Sequence, residues 1–137
     1  MLRRFFRNET QVASASVLVI DNDPQVLNTI ASILGAEGYI PRIALSTTIA
    51  LQLLDEMGLP SLMILDLAMP QGGEKDFLTL ARIRYGRAAL PPTLLLTASR
   101  EGEAIAKGLN LNDYLPKPFD TQVLLQHIAF LLKNAAS

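Results

Sequence analysis

The sequence predicts a single α/β domain in which a doubly wound sheet of parallel strands is covered by helices on both faces. The chain has 137 residues, half of them hydrophobic, which suits one domain with one core. A short apolar run followed by a segment with helical spacing occurs five times along it. The runs are apolar on both faces, which is typical of strands in a parallel sheet. Right-handed crossovers then put helices on each side.

The first βα unit begins with the β-branched run "SVLVI" at 16–20, which ends at Asp21. The segment "PQVLNTIASILGAEG" that follows predicts a helix with Pro24 at its first position and Gly38 at its stop. Asp23, directly before the proline, is predicted to be the N-cap residue. The apolar positions that form one face of this helix are 27, 30, 31 and 34.

The second and third units repeat this order. "IPRIAL" at 40–45 is strand-like, and "STTIALQLLDEMG" at 46–58 predicts a helix with Ser46 as its N-cap. The third strand is predicted at 62–66, "LMILD", and the third helix at 74–85, "EKDFLTLARIRY". The positions of the second helix that are expected to face the core are 49, 50, 53, 54 and 57.

The last two units complete the pattern. A strand is predicted at 93–97, "TLLLT", and a short helix near 101–108. A final strand, "DYLP" at 113–116, precedes a helix at 120–134, "DTQVLLQHIAFLLKN". These five βα units are the basis for the predicted fold class.

Charge and residue types exclude several classes of function. Without the three arginines and the glutamate of the first nine residues, the chain has 9 basic and 12 acidic residues, which argues against direct nucleic-acid binding. The sequence contains no cysteine, so a thiolate metal site and a disulfide framework are excluded. The single histidine, His127, cannot build a zinc site by itself and is expected at the protein surface.

The first 15 residues are expected to be a disordered lead before a folded domain at 16–134. No apolar run has the length of a membrane span, and the basic start lacks the apolar segment of a cleaved signal peptide. These features predict a cytoplasmic protein with no membrane partner. Because the last predicted helix ends near the terminus, we expect either a single-domain protein or a fragment of a longer one.

Side chains suited to phosphoryl chemistry collect at the carboxyl edge of the predicted sheet, where ligands of open parallel sheets bind. They are Asp21, Asn22 and Asp23 after the first strand, Asp66 after the third, Thr97 after the fourth and Lys117 after the fifth. Carboxylates that share a site repel each other unless a cation joins them, and oxygen ligands without His or Cys suit Mg²⁺. A hydroxyl and a lysine opposite them would meet the oxygens of an incoming phosphoryl group. The sequence therefore indicates phosphoryl transfer.

Four motifs together resemble the receiver domain of two-component response regulators: "VLVIDNDP", "LMILDLAMP", "LLLTAS" and "YLPKPF", in this order and spacing. The resemblance covers about residues 16 to 134 and implies a flavodoxin-like fold with strand order 2-1-3-4-5. It implies that Asp66 accepts a phosphoryl group from a sensor histidine kinase or a histidine phosphotransfer protein. Such a domain is a signalling module rather than an enzyme with a separate substrate, although it can catalyse its own phosphorylation and dephosphorylation.

The resemblance also implies roles for residues around Asp66. Lys117 would contact the phosphoryl oxygens, Thr97 would rotate toward them, and Tyr114 matches the aromatic residue that moves in concert with that threonine. The peptide bond between Lys117 and Pro118 is expected to be cis, which prolyl bonds permit at small cost. The implied ligands of Mg²⁺ are Asp21, Asn22, Asp66 and the backbone carbonyl of Ala68.

Four features depart from the family pattern, one of which is Glu74, at a position four residues after Pro70 where the family commonly has glycine. Asn22 stands where the family usually has a second aspartate, so one negative charge is missing and Mg²⁺ binding should weaken. Asp23 is the alternative source of that charge, although its interpretation as an N-cap is preferred. Asn110 stands where the family usually has glycine, and asparagine tolerates positive φ. The segment between Thr97 and Lys117 is shorter than usual by about two residues, so the fourth helix is expected to be short and this segment mobile.

Two functions stay open from the sequence. The first is a phosphoacceptor that regulates a downstream protein or an output domain missing from this chain. Whether the activated chain forms a homodimer also stays open. The second is a degenerate receiver that binds a partner protein without phosphorylation, for which Asn22 is the evidence. A haloacid-dehalogenase-like phosphatase is discarded, because it needs its nucleophile on the first strand and late acidic metal ligands, and only Asp120 follows Lys117. The joint presence of Asp66, Thr97 and Lys117 favours the first function.

Overall fold

The computed structural model of the protein describes residues 15–66, 73–111 and 113–136. Within these ranges, five strands alternate with five helices, as predicted. The elements are β1 (Ser16–Ile20), α1 (Pro24–Ala36), β2 (Ile40–Ala44), α2 (Thr47–Met57), β3 (Leu62–Asp66), α3 (Gly73–Tyr85), β4 (Thr93–Thr97), α4 (Gly102–Gly108), β5 (Asp113–Pro116) and α5 (Thr121–Ala136). A 3₁₀ turn between α3 and β4 was not predicted. The predicted disordered lead lies, except for its last residue, outside the described residues.

All five strands belong to one parallel sheet in the order β2-β1-β3-β4-β5. This order confirms the predicted doubly wound, flavodoxin-like fold. β1 lies beside β3, with Ile20 opposite Leu65, and β3 lies beside β4, with Asp66 opposite Leu96. The carboxyl ends of β1 and β3 are therefore neighbours at the point where the strand order reverses, which is where ligands of such sheets bind.

The alternating side chains of the strands divide the core into two layers, one on each face of the sheet. Val17 and Val19 pack with α1 and α5, whereas Leu18 and Ile20 pack with α2 and α3. The helix residues that complete the first layer are Leu27, Ile30, Leu34, Leu124, Ile128 and Leu131. Because each fully buried Leu or Ile contributes about 1.5–3 kcal/mol, the strands that carry the site residues are firmly held.

Local signals in the sequence are confirmed at several helix ends. The Asp23 side chain accepts a hydrogen bond from the Gln25 N–H at 2.9 Å, as expected of the N-cap of α1. Ser46 Oγ accepts one from the Ile49 N–H at 3.2 Å at the start of α2. After α4, Asn110 has a φ of 58°, the left-handed conformation that its position was predicted to require. The helix itself has seven residues and is short, as predicted.

The edge of the sheet at β2 is less buried than its apolar sequence suggests. Ile40 and Ile43 are 51% and 42% exposed. Of the positions predicted to face the core from α2, Ala50 and Leu54 are buried, but Ile49 and Met57 are exposed, so the prediction was wrong for these two. The physical reason is that α2 packs over an edge strand, which covers only a narrow part of the helix surface.

Pro41 protects this free edge from pairing with another strand. The Ile40 N–H donates to the Ala15 carbonyl, and the Ala44 carbonyl accepts from Asp21, so the even-numbered residues of β2 point their backbone groups toward β1. The odd-numbered residues therefore point theirs outward, and at Pro41 that side has no N–H to offer. Proline at such a position is a common protection of edge strands.

Two further observations concern predictions about the surface and the membrane. His127, which was expected at the surface, is only 29% exposed and pairs with Asp113 of β5. The prediction missed this because Asp113 and His127 are 14 residues apart, and their contact depends on how α5 packs beside β5. Within the described ranges, no helix is long and apolar enough to cross a membrane.

Candidate functional site

Two carboxylates are buried side by side at the carboxyl edge of the sheet. Asp21 directly follows β1 and is 1% exposed, and Asp66 is the last residue of β3 and is 3% exposed. Their positions follow from the strands themselves, since each apolar run ends at its aspartate and the two strands pair in parallel. Burial of two carboxylates so close together costs free energy, and it needs compensation by a positive charge.

Lys117 supplies a positive charge between the two carboxylates. Its Nζ donates to Asp66 Oδ1 at 2.8 Å and lies 3.7 Å from Asp21 Oδ2. The backbone N–H of Lys117 donates to the Thr97 carbonyl at 2.8 Å, which fixes the lysine to the end of β4. The peptide bond to Pro118 is cis, as predicted. The structure thus brings together three of the predicted site residues, from chain segments far apart in sequence.

Asp21 is the carboxylate with the less complete set of partners. Its Oδ1 accepts a hydrogen bond from the Asp23 N–H at 2.9 Å, whereas its Oδ2 is buried and has no hydrogen-bond partner. Burial raises the pKa of Asp21 to about 6; the hydrogen bond from Asp23 opposes this rise, and the nearby charge of Asp66 adds to it. An anionic oxygen in such a position favours a bound cation.

The oxygen atoms at this edge fit a small hard cation. Two carboxylates, one with a buried oxygen that accepts no hydrogen bond, are ligands of the type that Mg²⁺ prefers, and Mg²⁺ usually keeps several waters. In the ranges 15–66, 73–111 and 113–136, no three or more His, Cys, Asp or Glu side chains cluster to hold a metal. Asn22 is exposed next to Asp21. Ala68, whose carbonyl was predicted as a ligand, lies outside the described residues.

Thr97 ends β4 and is 1% exposed. Its Oγ1 accepts a hydrogen bond from the Ser99 N–H at 2.9 Å, so the hydroxyl oxygen is engaged with the loop that leads to α4. Tyr114 lies in β5 beside β4, in register with Leu95. Thr97 and Tyr114 are therefore on neighbouring strands, with Thr97 at the sheet edge that also carries Asp66.

A groove of about 690 Å³ opens beside Lys117, and sequence reasoning missed it. Its apolar walls come from α1, through Val26 and Ile33, and from Phe119 after the cis proline. The hydrogen bond from the Asp23 N–H to Asp21 was also missed, because the interpretation of Asp23 concerned its side chain rather than its backbone N–H. The one sequence signal for the groove was a phenylalanine directly after "KP", next to a predicted site lysine.

Comparison with known proteins identifies the family and the fold of the chain. Residues 17–129 match the family model of the response regulator receiver domain. A response regulator described as NtrX-like, from Rickettsia bellii, is 33% identical over 121 residues, which are 87% of this chain and 24% of that protein. The chain thus spans about a quarter of the length of the NtrX-like relatives that it matches.

Two solved structures show the same architecture. A response regulator from Chloroflexus aurantiacus superimposes with a TM-score of 0.77 at 31% identity, covering 88% of this chain and 98% of that one. The chemotaxis protein CheY4 of Vibrio cholerae superimposes with a TM-score of 0.76 at 24% identity, covering 86% and 98%. At the lower identity, the likeness concerns the fold alone.

Proposed function

We propose, since this chain belongs to the response regulator receiver domain family, that its Asp66 accepts a phosphoryl group in two-component signalling. The observation that carries the proposal is the contact of Lys117 Nζ with Asp66 Oδ1 at 2.8 Å, with Asp21 Oδ2 3.7 Å from the same ammonium group. A buried carboxylate held beside an ammonium group and a second carboxylate suits a site for phosphoryl transfer. The family is generally one of signalling domains rather than of enzymes.

In the proposed reaction, an oxygen of Asp66 forms a bond to phosphorus while the bond from phosphorus to the donor breaks. The donor leaves with that bonding pair, and Asp66 becomes an acyl phosphate. Lys117 can hold the phosphoryl oxygens because its ammonium group already lies at the carboxylate that receives them. Mg²⁺, held by Asp21 and Asp66 with the Asn22 and Ala68 carbonyls, would neutralise charge on the phosphoryl oxygens.

Labelling by a small phosphodonor tests this proposal. We expect acetyl phosphate with Mg²⁺ to add one phosphoryl group to the wild-type chain, as read by intact mass, and to add none to Asp66→Asn. Asp23→Asn is the matched control, since it changes a nearby exposed carboxylate and an asparagine caps the helix equally well. Labelling that survives in Asp66→Asn would remove Asp66 from its proposed role.

We further propose that the phosphodonor is a sensor histidine kinase or a histidine phosphotransfer protein that docks in the groove beside Lys117. The groove joins apolar residues of α1 to the lysine, so a donor helix seated there would bring its phosphohistidine to Asp66. Thr29→Glu, at an exposed position of the groove, should slow transfer from a phosphorylated kinase and leave labelling by acetyl phosphate unchanged. Asn28→Glu, exposed on the same helix but not lining the groove, is the control.

Asn22 supports a second candidate, a receiver that binds its partner without phosphorylation. Beryllofluoride with Mg²⁺ separates the two functions, because it mimics the phosphoryl group without needing a donor. A working phosphoacceptor should show shifts of amide resonances at 97 to 117, whereas the interaction module should show none. The target of the signal is a downstream protein, a further domain or a second copy of this chain. Comparing binding by the chain with and without beryllofluoride then distinguishes these targets.

A further inference from the structure

Gly102 lies where α4 contacts Thr97 of β4 and Tyr114 of β5. It is the first residue of α4, it is buried, and it faces Thr97 at the end of β4 and Tyr114 within β5. A Cβ atom at Gly102 would lie 2.8 Å from Cδ2 of the Tyr114 ring, 3.1 Å from Cε2 of the same ring and 2.9 Å from the Thr97 methyl carbon. Distances of this size leave no room for a methyl group unless the ring or the threonine moves.

The need for glycine at this position is not explained by the backbone. Its φ is not in the left-handed region, and glycine is one of the least favourable residues in a helix. Gly108, at the other end of α4, differs, since a Cβ there would meet nothing within 4 Å. The close approach of Tyr114 and Thr97 is therefore the feature that requires a residue without a side chain at 102.

We propose that Gly102 is a positioning residue that sets the resting positions of the Tyr114 ring and the Thr97 side chain. The inference rests on the proposed function. It adds that α4, through Gly102, connects the phosphorylation site to β5. At rest, the Thr97 hydroxyl oxygen accepts from the Ser99 N–H while its methyl group faces Gly102. In the proposed switch, the Thr97 side chain rotates so that its hydroxyl gives up the Ser99 N–H and turns toward a phosphoryl group on Asp66, and this rotation moves the methyl group away from Gly102.

A methyl group at position 102 should therefore destabilise the resting arrangement of Thr97 and Tyr114 and favour the arrangement in which Thr97 has rotated. A ligand that binds the rotated arrangement better gains apparent affinity when the resting one is made less favourable. Gly102→Ala should thus bind beryllofluoride with Mg²⁺ several-fold more tightly than the wild type. Gly108→Ala should not, because its methyl group meets nothing.

The test uses the full chain labelled with fluorotyrosine, with the Tyr114 resonance assigned by Tyr114→Phe. Without any phosphodonor, we expect Gly102→Ala to shift the Tyr114 resonance and Gly108→Ala to leave it in place. Thr97→Ser, which removes the facing methyl group and keeps the hydroxyl, should reduce the shift caused by Gly102→Ala. An unchanged Tyr114 resonance in folded Gly102→Ala, or an equal shift in Gly108→Ala, would overturn the proposal.

If Gly102→Ala does not fold, the proposal is tested by stability in a second background. Tyr114→Ala together with Thr97→Ser removes both groups that the new methyl group meets, so adding the pair should restore folding of Gly102→Ala. Failure to restore folding would contradict the assigned contact. These measurements need no phosphorylation, so they stand apart from the proposed function, which fails separately if the wild type does not bind beryllofluoride.

Discussion

Replacing Asp21 by asparagine should stabilise the Mg²⁺-free domain at neutral pH. Asp21 is almost fully buried, one of its oxygens has no hydrogen-bond partner, and the charge of Asp66 is nearby. An asparagine has nearly the same shape, and its carbonyl oxygen can still accept the hydrogen bond from Asp23. The substitution thus removes a buried charge and keeps the local geometry, at the expense of the 3.7 Å contact with Lys117.

The size of the effect follows from the pKa of Asp21, which is raised from 3.8 to about 6. Between these values the unfolded chain has lost the proton that the folded chain keeps, so the free energy of unfolding falls as pH rises. Above pH 6 or so, the penalty is complete and constant. Since one pKa unit corresponds to about 1.4 kcal/mol, the penalty is at most about 3 kcal/mol. Screening by water at the sheet edge reduces it to about 1–2 kcal/mol.

Urea unfolding followed by circular dichroism, with a chelator present, measures this effect. The free energy of unfolding of Asp21→Asn should exceed that of the wild type by about 1–2 kcal/mol at about pH 7.5, and the difference should vanish near pH 4. Added Mg²⁺ should narrow the difference at neutral pH, because it binds the charged wild-type site and stabilises the folded state by mass action. The exposed control Asp23→Asn should not gain stability at about pH 7.5, because it removes no buried charge. A difference that is absent at pH 7.5, or that is the same at every pH, would refute the reasoning.

Three other substitutions are expected to have measurable effects. Asn22→Asp should tighten Mg²⁺ binding by on the order of 1 kcal/mol or more, because it returns a carboxylate near the cation, and equal or weaker binding by titration would mean that another group already fills that place. Thr97→Ala should leave phosphorylation of Asp66 intact but abolish the beryllofluoride response of amides near Tyr114; a normal response there would show that the hydroxyl is not the coupling group. Asn110→Ala should lower the free energy of unfolding by about 1 kcal/mol, because φ at this position is positive, whereas Asn110→Gly should not.

Much of the fold could be predicted from local patterns. β1, β3 and β4 have the predicted bounds, because strands buried on both faces appear in the sequence as short apolar runs that end at polar residues. The N-caps at Asp23 and Ser46 could also be predicted from the local sequence, since each side chain accepts a hydrogen bond from a backbone N–H two or three residues ahead. Burial was harder to predict at α2, where Ile49 and Met57 are exposed because the helix lies over the sheet edge.

At the candidate site, the residue that ends each strand can be recognised from the local sequence, and a parallel sheet brings those strand ends to one edge. The contacts among these side chains, in contrast, depend on the packed structure. The hydrogen bond of Lys117 to Asp66 joins residues 51 positions apart, and the lack of a hydrogen bond at one oxygen of Asp21 depends on atoms from several segments. The fit of Gly102 against Tyr114 and Thr97 likewise needs α4, β5 and β4 in their packed positions. Such distances depend on how whole elements pack, and packing is a property of all the elements together that no local pattern contains.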